Sequence, residues 1–197
     1  MSNKKSRLPN CILEEPHACM GQNREMTRVL DVGCGGSEQF KLHKVRGDIN
    51  CDLLKPSFKI PNFVLCDVQH LPFKRNGFEK VFMYDVLEHL GNPLEALLEV
   101  KRVLRRKGIL ELGTPNALYL PKIIRSMFRG TYSPYRDHII TWGKAELNNL
   151  FSRAGLKRRV TYETYRDERK PLHYGFFVRI CPFPSLKHRQ LLTIGRK

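Results

Sequence analysis

The stretch 29–36, VLDVGCGG, limits the fold more than any other part of the chain. An apolar run with one embedded acid passes directly into a glycine-rich turn. Continuous apolar character without alternation is the mark of a parallel strand covered on both faces. Glycines at the turn let the chain reverse sharply and bring backbone N–H groups close to a ligand, where a Cβ would intrude. A strand-to-helix turn of this kind is a general cradle for a nucleotide-like molecule.

Downstream, strand-like and helix-like segments alternate. Strands are expected at 27–32, 45–51, 63–66, 80–84 and 109–112, then at 156–165 and 191–195, with 176–180 a further candidate. A helix is expected to start at Asn92-Pro93, an N-cap followed by a first-turn proline. Its apolar positions are Leu94, Leu97, Leu98, Val103 and Leu104. Lys101, Arg102, Arg105, Arg106 and Lys107 would crowd its last turns and Gly108 would stop it. Another helix is expected from an N-cap at Thr141 to Gly155. The crossover 37–44 is shorter than the dozen or so residues of an ordinary parallel connection, so the first helix should be shortened. The expected fold is three-layer α/β, with a mostly parallel seven-stranded sheet. Residues 1–26 read as an N-terminal arm and 27–197 as one domain, with 114–140 a substrate-side insertion. Ligands of such sheets lie at the carboxyl ends of the strands.

Several nucleotide chemistries are excluded by residue type. A dinucleotide fingerprint needs a third glycine, and that position is Glu38. No G-K-[ST] phosphate loop and no G-x-S-x-G nucleophile turn occur. The six cysteines include no C-x-x-C pair, so no zinc ribbon or redox pair is indicated and no metal is expected.

What remains is a set of segments that together resemble class I S-adenosylmethionine-dependent methyltransferases, in particular the small-molecule branch that includes quinone-biosynthesis enzymes. VLDVGCGG resembles the family's first motif. FVLCDVQHLPF (63–73) and FEKVFMYDVLEHL (78–90) resemble its third- and fourth-strand segments. VKRVLRRKGILELGTPN (100–116) resembles the arginine-bearing helix, fifth strand and Thr-Pro-Asn. Asp137-His138 and the helix ending Ala-Gly-Leu at 154–156 resemble the stretch before strand six. The resemblance covers about residues 27–160 and implies a Rossmann-like methyltransferase fold, S-adenosyl-L-methionine as cofactor and S-adenosyl-L-homocysteine as product.

By that resemblance Gly33, Gly35 and Gly36 pass beneath the methionine moiety, and Asp31 orders the loop and the cofactor's amino group. A carboxylate accepts two hydroxyl hydrogen bonds, so an acid at the end of strand two should hold the ribose. The usual spacing of about twenty residues favours Asp52, with Asp48 the alternative. Asp67 should accept from the adenine amine, with the Val68 N–H beside the ring; a helix cap is its plainer role. Tyr84 and Asp85 lie at the mouth of strand four. His89 is the first candidate for a general base, and His138 a second, because imidazole titrates near neutral pH. Both have structural readings as well. Tyr119, Tyr132, Tyr135 and Trp142 could wall an acceptor pocket or merely pack.

Hydrophobic residues make up 41% and charged residues 27%, ordinary values for a globular domain, but the formal net charge is +16. Such a charge attracts an anionic partner: RNA, a phosphorylated metabolite or a membrane surface. No apolar run is long enough to span a bilayer, and the polar N-terminus suggests no secretory leader. A reducing, cytoplasmic setting is the expectation. The expected activity is methyl transfer to a small-molecule or lipid-like acceptor at oxygen or carbon. An RNA-directed methyltransferase, or a degenerate module that binds the cofactor or RNA without turnover, is the alternative. Oligomeric state leaves no trace in the sequence.

Overall fold

A computed structural model describes residues 28–35, 47–130, 137–163 and 190–197. The strands are β1 (Val29–Val32), β2 (Ile49–Asp52), β3 (Phe63–Leu65), β4 (Phe78–Tyr84), β5 (Leu104–Pro115), β6 (Lys157–Glu163) and β7 (Gln190–Arg196). They form one seven-stranded sheet in the order β3-β2-β1-β4-β5-β7-β6. Pairing is parallel from β3 through β5, and β7 runs antiparallel to both β5 and β6. The strand order reverses between β1 and β4, which is where an open α/β sheet places its ligand crevice. The crossover 37–44, Gly36 and the candidate strand 176–180 lie outside the described residues.

Leu30, Val32, Val81, Met83, Leu110, Leu112 and Leu191 are all buried in one core. Register puts Leu30 beside Val81 and Val81 beside Leu110, so these side chains share one sheet face. Against that core pack helices α1 (Pro93–Val103) and α3 (Lys144–Arg153), through Ala96, Leu97, Val100 and Val103 and through Leu147, Leu150 and Phe151. The Phe151 ring lies where a Cβ at Gly195 would stand, which is why β7 needs a glycine there. Lys101 of α1 donates from Nζ to the Ala154 carbonyl at 2.9 Å, satisfying an orphan acceptor at the end of α3.

Local signals placed α1 correctly at its start: the Asn92 side chain accepts from the Glu95 N–H. The expected stop at Gly108 is wrong. The helix ends at Val103, and Leu104 is already strand, fully buried and paired with Phe78. Arg105, Arg106 and Lys107 are exposed residues of a bulge in β5, where the register with β4 shifts and Lys107 takes φ +66°. Pairing and burial of one leucine outweighed three good helix formers, whose propensity differences amount to only tenths of a kcal/mol each. Leu98, expected on the apolar face, is exposed. The cap of α3 is Gly143, not Thr141. The stretch 114–140 contains a helix of its own, α2 (Leu120–Arg129), closed by Gly130 at φ +65°.

Arg102 fastens α1 to the loop after β3. Its guanidinium grips Glu99 in a bidentate pair (2.7 and 2.9 Å) and donates to the Phe73 and Leu71 carbonyls, both at 2.8 Å. Glu99 in turn accepts from the Leu71 N–H at 2.9 Å. Arg102→Met leaves Glu99 and two carbonyls without their donor and should destabilise the domain by roughly 2 kcal/mol. Arg102→Lys should recover only part, because an ammonium cannot reproduce the planar fork. Urea unfolding monitored by circular dichroism measures both.

Candidate active site

Five strand ends converge on one edge of the sheet. At the end of β1 the chain turns through Gly33 (φ +69°) and Gly35 (φ +71°), both in the left-handed region that favours glycine. The Gly33 and Cys34 N–H groups both donate to the Cys51 carbonyl, at 2.8 and 3.2 Å. A Cβ at Gly33 would overlap the Val86 γ2 methyl, so β1's turn packs directly against the Val86 side chain in the loop after β4.

Asp52 ends β2 on this edge. One carboxylate oxygen accepts from the Gly35 N–H at 2.8 Å, the other from the Leu54 N–H at 3.0 Å. A carboxylate offers about four lone-pair positions, so hydrogen-bonding capacity is left for a diol. Asp48 stands at the opposite end. It precedes β2, and its carboxylate accepts from the N–H of Val29, the first residue of β1. It is therefore a length of strand away from the glycine turn. Asp31 is buried inside β1.

Asp67 follows β3 and caps a short 3₁₀ turn, Val68–His70, accepting from the Gln69 N–H at 2.9 Å. The plainer reading of this residue thus describes its contacts, and Val68 is buried beside it. Tyr84 ends β4 on the sheet face away from α1 and α3. Its ring covers Gly113, and its hydroxyl donates to Glu111, which also holds the Lys80 ammonium at 2.6 Å. Trp142, offered as a pocket wall, is buried core. Tyr119 is half-buried at the start of α2; Tyr132 and Tyr135 lie outside the described residues.

Beneath the turn lie three free thiols, Cys34, Cys51 and Cys66. Burial, then the Asp52 and Asp31 carboxylates, push the Cys34 thiol up to about 12. Cys51, deeper than Cys66, keeps its proton and hydrogen-bonds Cys66, which is lowered by that bond. Since the thiolate is the reactive form, iodoacetamide should alkylate Cys66 before Cys34 and Cys51, by roughly tenfold or more in rate. Peptide mass mapping over time reads the order.

Beyond β4 the chain makes a second 3₁₀ turn, Leu87–His89. Here the two histidine candidates come together: the His89 and His138 rings meet edge to face with centroids 4.7 Å apart. His89 Nδ1 lies 3.0 Å from the Asp137 carbonyl and 3.3 Å from its carboxylate. Burial, first, and then His89 and Lys122 lower His138 from its ordinary value. The residue that the sequence did not put forward as a candidate is Glu88. It is 1% exposed, takes the Thr114 hydroxyl on Oε2 at 3.1 Å, and leaves Oε1 without a partner. Burial and the neighbouring Asp85 push its carboxyl up to about 8. The available signal was its place beside His89; that the side chain turns inward is not a local property.

Residues 30–112 match the family model described as "Methyltransferase domain". The chain is 42% identical over 94 residues to an uncharacterized protein of Methanocaldococcus jannaschii, covering 45% of this chain and 41% of that one. It is 32% identical over 109 residues to a demethylmenaquinone methyltransferase of Chlamydia muridarum (49% and 47%), and 22% identical over 150 residues to "Probable tRNA methyltransferase 9B" of Homo sapiens (74% and 32%). It thus spans less than half the length of the relatives named. Among solved structures, an S-adenosylmethionine-dependent methyltransferase of Thermotoga maritima superposes with a TM-score of 0.64 at 16% identity, covering 86% of this chain and 82% of that one. The fold is the Rossmann-like methyltransferase fold. No helix among the described residues is long and apolar enough to cross a membrane.

Proposed function

We infer that this chain, which carries a methyltransferase domain of the class I S-adenosylmethionine-dependent family, methylates a small, largely apolar acceptor at oxygen or carbon. The cofactor part of this reading is supported by the built edge of the sheet: a glycine turn whose Cβ space is taken, and a carboxylate bonded to that turn with lone pairs to spare. Gly33 and Gly35 with the residues after them carry the methionine end. Asp52 accepts from the ribose hydroxyls, and Asp67 with the Val68 N–H reads adenine. Asp31 orders the turn from within β1, and the Tyr84 ring closes the side toward β5. S-adenosylmethionine supplies an electrophilic methyl group when bound. The chain's own work is then to hold an acceptor in line and to accept its proton.

One observation carries the acceptor class. Helix α2 stands next to Glu88 and His138, close enough for its Lys122 to act on both electrostatically. It presents Ile124, Met127 and Phe128 outward, the last two 78% and 88% exposed. Large apolar residues grouped on one short helix mark a surface for an apolar partner. Glu88, His89 and His138 are the polar groups beside it. The similarity to a demethylmenaquinone methyltransferase points the same way. A second reading, methylation of RNA, is supported by the net charge of +16 and by the tRNA methyltransferase relative.

Incubation with methyl-labelled S-adenosylmethionine and fractionated cell extract separates them. Label in the organic-soluble fraction supports the small acceptor. Label in RNA, in a salt-sensitive manner, replaces it with the second reading. No label anywhere, with no calorimetric binding of S-adenosylhomocysteine, rejects both.

A further inference from the structure

Glu88, His89 and His138 have a geometry that proton transfer alone does not call for. One carboxylate oxygen and one ring nitrogen from each histidine lie within 4.8 Å of one another, the only such grouping of potential metal ligands among the described residues. Glu88 is too deep for water to solvate both oxygens, and Oε1 has no hydrogen-bond partner. A buried carboxylate oxygen left bare is costly unless something binds it. The backbone holds the cluster together: the Glu88 carbonyl accepts from the N–H groups of Ile139 (2.9 Å) and Ile140 (3.1 Å), which fixes the segment carrying His138 against the turn carrying Glu88.

His89 has a tautomer suited to coordination. With Nδ1–H donating to the Asp137 carbonyl, the lone pair is on Nε2. A metal-bound histidine characteristically donates its other ring N–H to a carbonyl or carboxylate, and Asp137 offers both. Local charge agrees. Two carboxylates, Asp85 and Asp137, stand beside the cluster against one ammonium, Lys122.

We propose that Glu88, His89 and His138 bind one divalent transition-metal ion of the zinc type. Two imidazoles and one carboxylate suit zinc or iron(II), and three protein ligands leave coordination positions open. Magnesium and calcium prefer oxygen-only sites. Resting on the small-acceptor reading above, the open positions take the oxygen of a hydroxyl-bearing acceptor. Coordination lowers that hydroxyl's pKa. Its proton leaves to solvent, the oxygen bonds to the methyl carbon, and the methyl–sulfur bond breaks to release S-adenosylhomocysteine. The histidines then act as ligands rather than as bases.

Cobalt(II) is the probe, because its visible spectrum reports the ligand set. The full-length chain, stripped with chelator, is titrated with cobalt chloride, alongside Glu88→Gln and His138→Ala. The expected result is one cobalt per chain, without the near-ultraviolet bands of thiolate coordination, and binding weakened roughly 100-fold or more in either variant. Circular dichroism and S-adenosylhomocysteine calorimetry on the same variants check that fold and cofactor binding survive; the half-exposed His138 position is the milder change. No stoichiometric binding, thiolate bands pointing to the cysteines, or unchanged affinity in a folded His138→Ala each overturn the proposal. Cobalt binding with no S-adenosylhomocysteine binding would reject the methyltransferase reading and leave the metal site standing.

Discussion

Gly33→Ala is expected to cost the domain roughly 2–5 kcal/mol, combining the left-handed backbone penalty for a residue with a Cβ and the overpacking of a filled site. Both terms are visible at this one position. The backbone is at φ +69°, and the added methyl would overlap Val86 γ2. Relaxing the clash means moving either the β1 turn, which is bonded to the Cys51 carbonyl, or the loop after β4 that leads to Glu88 and His89. The melting midpoint should fall by roughly 5–20 °C, and S-adenosylhomocysteine binding should disappear in calorimetry at a temperature where the variant is folded. Adding Val86→Ala should return part of the stability, because it removes the clash, but not the backbone strain. If Gly33→Ala binds S-adenosylhomocysteine like the parent, this turn is not the cofactor's cradle.

Asp52→Ala is expected to weaken S-adenosylhomocysteine by roughly 100-fold or more, the loss of two charge-assisted hydrogen bonds to the ribose at about 1.5–3 kcal/mol each. It also deprives the Gly35 and Leu54 N–H groups of their acceptor, so the turn loses the brace that holds it toward β2. Asp48→Ala is the control. Its carboxylate accepts from the Val29 N–H at the other end of the strands, so its loss should cost about 1 kcal/mol of stability and change affinity by no more than ~3-fold. The reverse ranking, with Asp48→Ala the more damaging to binding, would overturn the assignment. Unfolding curves for both variants keep the stability and binding effects separate.

These two residues also show how legible the site was. The glycine turn was readable because glycine at a strand end has few other uses and the sequence around it is apolar. The choice between Asp48 and Asp52 depended on where β2 ends. Spacing alone leaned toward Asp52; the pairing of β2 with β1 and β3 puts the two acids at opposite edges of the sheet. Boundaries were weaker wherever a local preference met a distant partner. The run 104–107 has residues fit for a helix end, yet Leu104 has Phe78 to pair with and a core to enter.

By itself, the sequence determined the alternation of strands and helices, the glycine turn after β1, the start of α1 at Asn92 and the two histidines as candidates. All of these are patterns within about a dozen residues, set by apolar periodicity, caps and φ requirements. Only the tertiary structure decided that Glu88 is buried with a bare oxygen, and that His89 meets Asp137, 48 positions along the chain. The reason is physical. A local pattern states which side chains prefer to avoid water, whereas the company a buried polar group keeps depends on which loop is pinned over it. Here two backbone hydrogen bonds to the Glu88 carbonyl make that choice.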